Sequence, residues 1–352
     1  GFIACVCGLL NWGLGLIVGA LLAREVGFSM QRRKIPCHYP LIAAAGYVGL
    51  LVWHGGLSGS APLSMTTKSD AAKVVPAQYI EQFESIALSD SIGSPLNFLI
   101  SGGLVILIPI MLALLAPKNT SDQRSIESFG VDPGESIKQK ELHVHLPDKL
   151  NHSPIVAWLL AIPLLIAFGR HLYVSGAERL GLDEITICML GLGLLLHGSP
   201  VGYMQAITRG AKGCAGIIIQ FPLYAGIMAI MVTSGLMGSL TEFMVEAGTP
   251  ETLPILTMLS AGVVNLFIPS GGGQWAIQAP IALESGLLSG VSSGTMLMAV
   301  AYGDQLTNML QPFWALPLLA ITGVRARDIV GYTAIVMIAA AIWIAFGLIV
   351  AG

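Results

Sequence analysis

We predict an all-α polytopic membrane protein with inverted repeats, two re-entrant hairpins and two broken transmembrane helices. Three observations support this fold class. The 352-residue chain is 54% hydrophobic and 11% charged, and its mean hydropathy is +0.77. The apolar residues form runs about as long as the 20 residues that a helix needs to cross a bilayer. Polar and glycine-rich breaks interrupt some of these runs at matching places in the two halves of the chain.

The composition excludes several classes of protein. A soluble domain carries roughly 25% charged residues and could not cover this much apolar surface. The net charge of −3 leaves no basic surface for a nucleic acid. The five cysteines form no Cys-x-x-Cys pair with matching histidines, so we expect no cofactor and no metal other than Na⁺.

The first 116 residues are predicted to be the end of a first repeat. The run Phe2–Ala23 is interrupted at Asn11-Trp-Gly-Leu-Gly, which we interpret as the tip of a first hairpin; a glycine-rich single span is the alternative. A broken helix is expected over 41–65 and a continuous helix over 93–116. Because Phe2 already lies in an apolar run without a signal-peptide pattern, we expect the chain to lack N-terminal helices of a longer protein.

The remainder is predicted to be a linker followed by a second repeat. Residues 117–152 are rich in Pro, Asp, Lys and His, and we predict that they form a polar cytoplasmic linker. The second repeat is expected over 153–352. Its predicted elements are helices over 153–171, 185–204 and 214–238, a hairpin over 252–284, a broken helix over 296–324 and a helix over 328–351.

The run Leu253–Leu283 is too long for one straight span. Its 31 residues would extend about 46 Å as a helix, against a hydrocarbon core of about 30 Å. Pro269, Ser270 and three glycines lie at its midpoint, where a continuous helix would be costly. We therefore predict a re-entrant hairpin whose tip is surrounded by protein or water. A kinked or tilted single span is the alternative.

Similar landmarks recur in the two halves with nearly the same spacing. An asparagine precedes a tyrosine by 36 residues in the first half and by 37 in the second, and each tyrosine lies 15 residues before a proline. Paired interrupted segments of this kind indicate the binding site of a transporter. The landmarks are Asn11, Tyr47 and Pro62, then Asn265, Tyr302 and Pro317, with interruptions at 53–60 and 303–312.

The distribution of Arg and Lys predicts the orientation, because short cytoplasmic loops are enriched in them. With loop 24–40 placed inside and 253–283 counted as a hairpin, Arg209, Lys212, Arg325 and Arg327 all fall inside. Loop 66–90 and the C-terminus fall outside, as do four glutamates near the hairpin. These glutamates are Glu242, Glu246, Glu251 and Glu284.

Asp304 is the one acidic residue of twenty that lies within a predicted span. An ionisable residue in a membrane is a functional candidate by default. We predict that Asp304 carries a proton or lies beside Na⁺ as the coupling-ion site; capping of a half-helix is the alternative. Asn11 and Asn265, at the two predicted tips, are candidates for the same ion site, with helix capping as the alternative.

The hairpin tips and the helix breaks are predicted to bind the substrate. A helix N-terminus with free N–H groups can bind a carboxylate without an arginine. The predicted substrate-binding residues are Asn11, Gly13, Gly15, Ser58, Ser60, Asn265, Ser270, Gly271, Gly272, Gly273, Thr307 and Asn308, and Gln311 extends the polar lining.

Aromatic residues next to the breaks have two interpretations. His54, in the first break, either titrates or donates a hydrogen bond there, or has only a structural part. Four tryptophans either form the wall of an apolar pocket for a short acyl chain or serve packing. They are Trp12, Trp53, Trp275 and Trp314.

Three stretches of sequence resemble a known family. The chain resembles the bacterial short-chain fatty acid uptake family, the acetoacetate and butyrate transporters, over essentially its whole length. The resemblance implies H⁺- or Na⁺-coupled uptake of short-chain carboxylates across the inner membrane. Through similarity to the ion-transporter superfamily, it also implies inverted repeats, a homodimer and an elevator-like movement. The stretches are Asn11-Trp-Gly-Leu-Gly-Leu-Ile-Val-Gly-Ala, Pro269-Ser-Gly-Gly-Gly-Gln-Trp, and Ala301-Tyr-Gly-Asp-Gln with Gln311-Pro-Phe-Trp-Ala-Leu-Pro.

Other functions remain as alternatives. A sodium-coupled carrier of di- or tricarboxylates or of other organic anions is the nearest, and broken helices also suit a channel. An intramembrane aspartyl protease needs two carboxylates that share a site, whereas only Asp304 is present here. We therefore expect no enzymatic activity. The expected partners are the lipid bilayer, a short-chain carboxylate and a second copy of the chain.

Overall fold

The computed structural model describes residues 1–75, 85–131, 146–213, 215–236, 238–239, 243 and 248–352. All regular structure in these ranges is helical. Four helices are long and apolar enough to cross a membrane, and two bent helix pairs pass the same test. This confirms an all-α polytopic membrane protein with broken helices. The long helices are Trp12–Arg32, Pro95–Leu114, Pro154–Ser175 and Ala326–Ala351.

The chain divides into two compact units. The first contains residues 1–131 and 216–352, and the second contains residues 132–215. The first unit holds both predicted hairpins and both predicted broken helices. Its helices in the first half are α1 (Phe2–Leu10), α2 (Trp12–Arg32), α3 (Tyr39–Tyr47), α4 (Ser60–Leu63), α5 (Lys68–Ala71) and α6 (Pro95–Leu114).

The first unit begins with a helical hairpin. Asn11 ends α1 in an extended conformation and caps α2, because its side chain accepts a hydrogen bond from the N–H of Leu14. The capping interpretation of Asn11 is therefore correct. α2 continues to Arg32, so the expected loop over 24–40 is helical in its first part. The buried Gly27 and Phe28 explain this, since they extend the packed face of the helix.

The next segment forms the first broken helix. α3 is followed by 3₁₀ turns at Val48–Leu51 and Trp53–Gly55 and then by α4, with a bend of 40° between the two halves. α2 and α3 approach each other backbone to backbone. A Cβ atom on Gly19 would overlap the carbonyl oxygen of Gly46, and one on Gly46 would overlap that of Gly19. Only glycine at both positions permits this crossing.

Residues 117–131 of the predicted linker belong to the first unit and contact its helices. The N–H of Tyr39 donates to the carbonyl of Arg124, and the guanidinium of Arg124 pairs with Asp328, with Nη2 and Oδ1 2.8 Å apart. The amide of Gln31 donates to Glu127. Residues 132–145 of this linker lie outside the described residues, as do Glu81, Glu84, Cys214, Glu242 and Glu246.

The second unit contains a sharp bend that the apolar sequence pattern did not predict. The predicted continuous helix over 185–204 is wrong, because one helix ends at His197 and the next begins at Pro200, with 115° between them. Gly198 adopts a left-handed φ of 70°, and Pro200 cannot donate a helical hydrogen bond. The helices here are α7 (Leu146–Asn151), α8 (Pro154–Ser175), α9 (Leu182–His197) and α10 (Pro200–Gly213).

The second half of the chain returns to the first unit with a second helical hairpin and a second broken helix. In the hairpin, the amides of Gln274 and Gln278 donate to the carbonyl of Ala261 and the hydroxyl of Ser260, so the two arms run antiparallel. The helices are α11 (Ala215–Thr233), α12 (Leu253–Asn265), α13 (Gly271–Ser289), α14 (Ser293–Thr307), α15 (Pro312–Thr322) and α16 (Ala326–Ala351), with a 3₁₀ turn at Asn308–Leu310.

α14 lies at the centre of the first unit. All of its residues from Gly294 to Leu306 are buried. The core around it draws on both halves of the chain, with Leu51 and Ile100 from the first and Val336 and Ile344 from the second. The fold therefore buries the predicted ion-site residue of α14 completely. The inverted repeat and the re-entry of the hairpins into the bilayer stay predictions.

A candidate substrate and ion site between two helix breaks

Asp304 lies inside α14 and pairs with His54 of the first break. Asp304 is 1% exposed and His54 0%, and their Oδ1 and Nδ1 atoms are 3.2 Å apart. The N–H of His54 also donates to the side-chain oxygen of Gln305. Ser292 is the N-cap of α14 and Gln311 is the N-cap of α15, so the alternative in which Asp304 caps the second half-helix is wrong. The first break and α14 are thus joined by two adjacent polar contacts.

The tip of the second hairpin lies against the same break. A Cβ atom on Gly271 would be 2.5 Å from Oγ of Ser60 and 2.8 Å from atoms of both His54 and Trp53. Gly272 has more room, since its Cβ would be 3.7 Å from Ser60. Ser270 caps α13 by accepting a hydrogen bond from the N–H of Gly273.

The N–H groups at the start of α13 are available to a ligand. In a helix the first N–H groups have no intrahelical acceptor. Among the described hydrogen bonds, none uses the N–H of Gly271 or Gly272. The indole nitrogen of Trp53, whose ring touches the Gly271 position, is buried and also lacks an acceptor. These donors next to Ser60 are suited to an anion.

Asn265 fastens the second hairpin to the second break. Its buried Nδ2 lies 2.7 Å from the carbonyl oxygen of Asp304, 3.0 Å from Oγ1 of Thr307 and 2.9 Å from Oδ1 of Asn308. Its own carbonyl accepts a hydrogen bond from Nε2 of Gln311. Its Oδ1 is buried without a partner. Asn265 therefore does more than end a helix: it holds the polar groups of the second break together.

The first hairpin is bonded to the first break. The N–H of Trp12 donates to Oγ of Ser58 over 2.9 Å, and the N–H of Leu57 donates to the carbonyl of Leu9 over 2.7 Å. Among the predicted site residues of this hairpin, Gly13 lies beside the side chain of Asn11, and Gly15 packs against Gly8. The described hydrogen bonds do not join Asn11 to Asp304.

Two tyrosines cross between the halves of the unit in a reciprocal way. The hydroxyl of Tyr47 donates to the carbonyl oxygens of Asn308 and Gln311, which belong to the second break. The hydroxyl of Tyr302 donates to Asn97, whose amide donates in turn to the carbonyl of Gly55 in the first break. Both tyrosines are landmarks of the repeated sequence pattern, but that pattern does not indicate that they bond to the two helix breaks.

The four tryptophans beside the breaks divide into different contacts. Trp12 and Trp314 meet edge to face, with ring centroids 5.4 Å apart. Trp53 stacks on His54 at 4.2 Å, and Trp275 is fully buried in α13. In the described ranges, no three His, Cys, Asp or Glu side chains come close enough to hold a metal ion.

The chain is similar to known proteins over nearly its whole length. The profile of the short chain fatty acid transporter family matches residues 1–351. A protein of Escherichia coli named "putative short-chain fatty acid transporter" is 37% identical over 339 residues, which cover 94% of this chain and 72% of the relative. A Haemophilus influenzae protein with the same name is 36% identical over the same shares of both chains. No solved structure matches.

Proposed function

Because the chain belongs to the short chain fatty acid transporter family, we propose that it imports short-chain monocarboxylates such as butyrate and acetoacetate across the bacterial inner membrane. Family membership and the apolar helices make it a multi-pass membrane protein and a transporter of such substrates. The finer proposal is secondary active transport coupled to H⁺ or Na⁺. The observation that carries it is the meeting of both breaks and the second hairpin tip around one buried carboxylate.

The substrate carboxylate binds at the start of α13 in this proposal. The free N–H groups of Gly271 and Gly272 and the hydroxyl of Ser60 supply its hydrogen bonds, and the indole N–H of Trp53 lies beside them. Such a site needs no arginine, because the helix dipole favours an anion. Ser270 and Gly273 shape this turn, and Ser58 and the first tip lie next to the same break.

The coupling ion binds at Asp304. Its Oδ2 atom is buried without a hydrogen-bond partner, and so is Oδ1 of Asn265, which contacts the backbone of Asp304 through its amide nitrogen. Thr307 and Asn308 complete the polar surroundings. An isolated buried carboxylate is costly, which favours uptake of a cation there.

Transport follows an elevator-like alternating-access movement in this proposal. At Gly271 the tip of the second hairpin has no side chain of its own between it and the first break, and we propose that the tip separates there during transport. The two inverted repeats, the outward C-terminus and a homodimer belong to the same proposal.

The proposal is tested with the purified full-length protein in proteoliposomes. Labelled butyrate and acetoacetate are supplied with Na⁺ and pH gradients imposed separately, and uptake into protein-free liposomes is subtracted because butyric acid crosses bilayers by itself. We expect saturable uptake and counterflow, which a channel would not give. Stronger competition by succinate or citrate than by butyrate would favour a di- or tricarboxylate carrier. Absence of saturable uptake for all these acids would contradict transport of short-chain anions.

A further inference from the structure

The hydrogen bonds around His54 fix the state of its ring. The N–H of Ala61 donates to Nε2 over 3.1 Å, so Nε2 is an acceptor and carries no proton. The ring proton is then on Nδ1, which faces Oδ1 of Asp304 at 3.2 Å. His54 is therefore neutral, and its Nδ1 proton lies at contact distance from the carboxylate without forming a well-aligned hydrogen bond. A second proton on the ring would break the bond to Ala61.

The two carboxylate oxygens of Asp304 differ in their contacts. His54 lies at Oδ1, whereas Oδ2 is buried and has no partner. With a neutral imidazole, the unloaded pair carries one negative charge at a site with almost no solvent exposure. Burial of an uncompensated charge is unfavourable, so the unloaded pair favours binding of a cation at Oδ2.

The neighbours of the pair favour a proton over a metal cation. A hard cation requires several oxygen ligands. Besides Oδ1 of Asn265, however, the unpartnered buried groups around the pair include Nε1 of Trp53 and Nε2 of Gln305, which are N–H donors and cannot bind a cation. A proton needs only the single free oxygen.

The ionisable groups on the elements packed against α14 are few. α12, α4 and the 3₁₀ turns at Val48–Leu51 and Asn308–Leu310 contribute none, the turn Trp53–Gly55 contributes His54, and α13 contributes Glu284. α16 contributes Arg327, Asp328 and Tyr332, and α14 itself contains Tyr302. Asp90 lies against Gly294, at the first turn of α14. Among the described residues, His54 is the basic side chain within ion-pair distance of Asp304.

Resting on the proposed function, we infer that the coupling ion is a proton that binds to Oδ2 of Asp304, while His54 stays neutral and acts as the positioning residue that holds Oδ1. Loading forms one O–H bond and converts the carboxylate to a carboxylic acid; unloading returns that proton to water. The contact between Nδ1 of His54 and Oδ1 of Asp304 persists in both states.

The same geometry couples the proton to the substrate. A carboxylate bound at the N–H groups of Gly271 and Gly272 lies beside His54, because Gly271 contacts Cε1 of that ring. Two negative charges would then flank one neutral imidazole. Like charges in a shared buried site disfavour joint ionisation, so the bound anion favours the protonated form of Asp304. By linkage, the proton favours substrate binding to the same extent.

The transport test separates the proton site from the substrate site. In proteoliposomes of the full-length protein, after subtraction of the uptake into protein-free liposomes under the same gradients, a pH gradient without Na⁺ should drive butyrate accumulation, and a Na⁺ gradient without a pH difference should not. Asp304→Asn should remove the pH dependence of uptake, and Asp304→Glu, the matched control, should retain it. Accumulation driven by Na⁺ alone, or a pH dependence that survives in Asp304→Asn, would overturn the inference. Failure of wild-type counterflow would instead reject the proposed function.

The role of His54 is tested by two variants. His54→Asn keeps an N–H donor near Oδ1, and His54→Leu removes it. Because an N–H group beside a carboxylate favours its ionised form, loss of that group should strengthen proton binding and move the pH midpoint of uptake upward, with a smaller shift for Asn. Coupling should persist in both. Loss of proton coupling in both, with Asp304 intact, would show that His54 carries the proton.

Infrared difference spectra between acid and alkaline samples provide a readout that needs no transport. At acid pH we expect a carboxylic acid carbonyl band from Asp304, beside the bands of the other Asp and Glu side chains, in the wild-type protein and its absence in Asp304→Asn. If that band is unchanged in Asp304→Asn, Asp304 does not bind the proton and the inference fails, whether or not the protein transports butyrate.

Discussion

At the scale of single residues, two neighbouring glycines at the tip of the second hairpin have different roles. Gly271 is in contact with Ser60, His54 and Trp53, and a side chain there would collide with all three. A Cβ atom on Gly272 would lie 3.7 Å from Ser60, which is an ordinary van der Waals distance. The sequence indicated that both glycines have free N–H groups near a substrate. It did not indicate that Gly271 is the one packed tightly against the first break.

We predict that Gly271→Ala impairs transport far more than Gly272→Ala. The added methyl group at 271 must push the hairpin away from the first break, and overpacking of this kind costs typically 1–3 kcal/mol. The initial rate of butyrate uptake in proteoliposomes measures the effect, and Gly272→Ala is the matched control. Equal rates for the two variants would contradict the proposed seat of the hairpin on His54 and Ser60.

The asparagines at the two hairpin tips also differ. Asn11 is partly exposed and caps α2 with one hydrogen bond, whereas Asn265 is fully buried and contacts three acceptors of the second broken helix. Their similar positions in the sequence suggested equal roles. The structure assigns only Asn265 to the surroundings of Asp304.

We predict that Asn265→Ala destabilises the protein more than Asn11→Ala. Loss of an N-cap costs about 1 kcal/mol, whereas Asn265→Ala leaves several buried acceptors unpaired, at about 1–3 kcal/mol for each group that remains unsatisfied. Thermal unfolding of the purified protein in detergent compares the two variants. A larger loss for Asn11→Ala would contradict the placement of Asn265.

At the scale of elements, each helix break is held by side chains from other helices. The carbonyl of Gly55 in the first break accepts from Asn97 of α6, and that of Met309 in the second break accepts from Thr333 of α16. Irregular backbone is tolerated at membrane depth only if protein or water satisfies its polar groups. The composition of the breaks indicated where the helices are interrupted, but it did not identify these partners.

We predict unequal effects for the two crossing tyrosines. Tyr47→Phe removes the donor that serves two carbonyl groups of the second break, so it should cost about 0.5–1.5 kcal/mol for each bond lost. Tyr302→Phe should cost less, because Asn97 keeps a hydrogen bond from Ser101. Thermal unfolding of the single and double variants measures both losses and their coupling. A greater loss of thermal stability for Tyr302→Phe than for Tyr47→Phe would contradict these hydrogen-bond assignments.

At the scale of the whole molecule, the orientation in the bilayer still depends on the sequence. The antiparallel arms of the second hairpin agree with an element that enters and leaves on one side. The pattern of Arg and Lys then predicts that Glu251 and Glu284 face the outside and Arg327 the cytoplasm.

We predict that single cysteines at 251 and 284 react with an impermeant thiol reagent from the same, outer side. Arg327→Cys is the control for the cytoplasmic side, and the five native cysteines are first replaced. If the cysteines at 251 and 284 are labelled from opposite sides, 253–283 is a single span, and the inverted arrangement of the two hairpins is wrong.

The sequence by itself determined the class of the protein, the interruptions of the helices in its first unit and the unusual position of Asp304. These features depend on local composition: apolar runs must be buried in lipid or core, and Pro-Ser-Gly-Gly-Gly cannot continue a helix comfortably. Only the tertiary structure decided that His54 is the partner of Asp304 and that Gly271 packs against His54. These contacts join residues more than 200 positions apart, and their geometry depends on how whole helices pack, which no local pattern records.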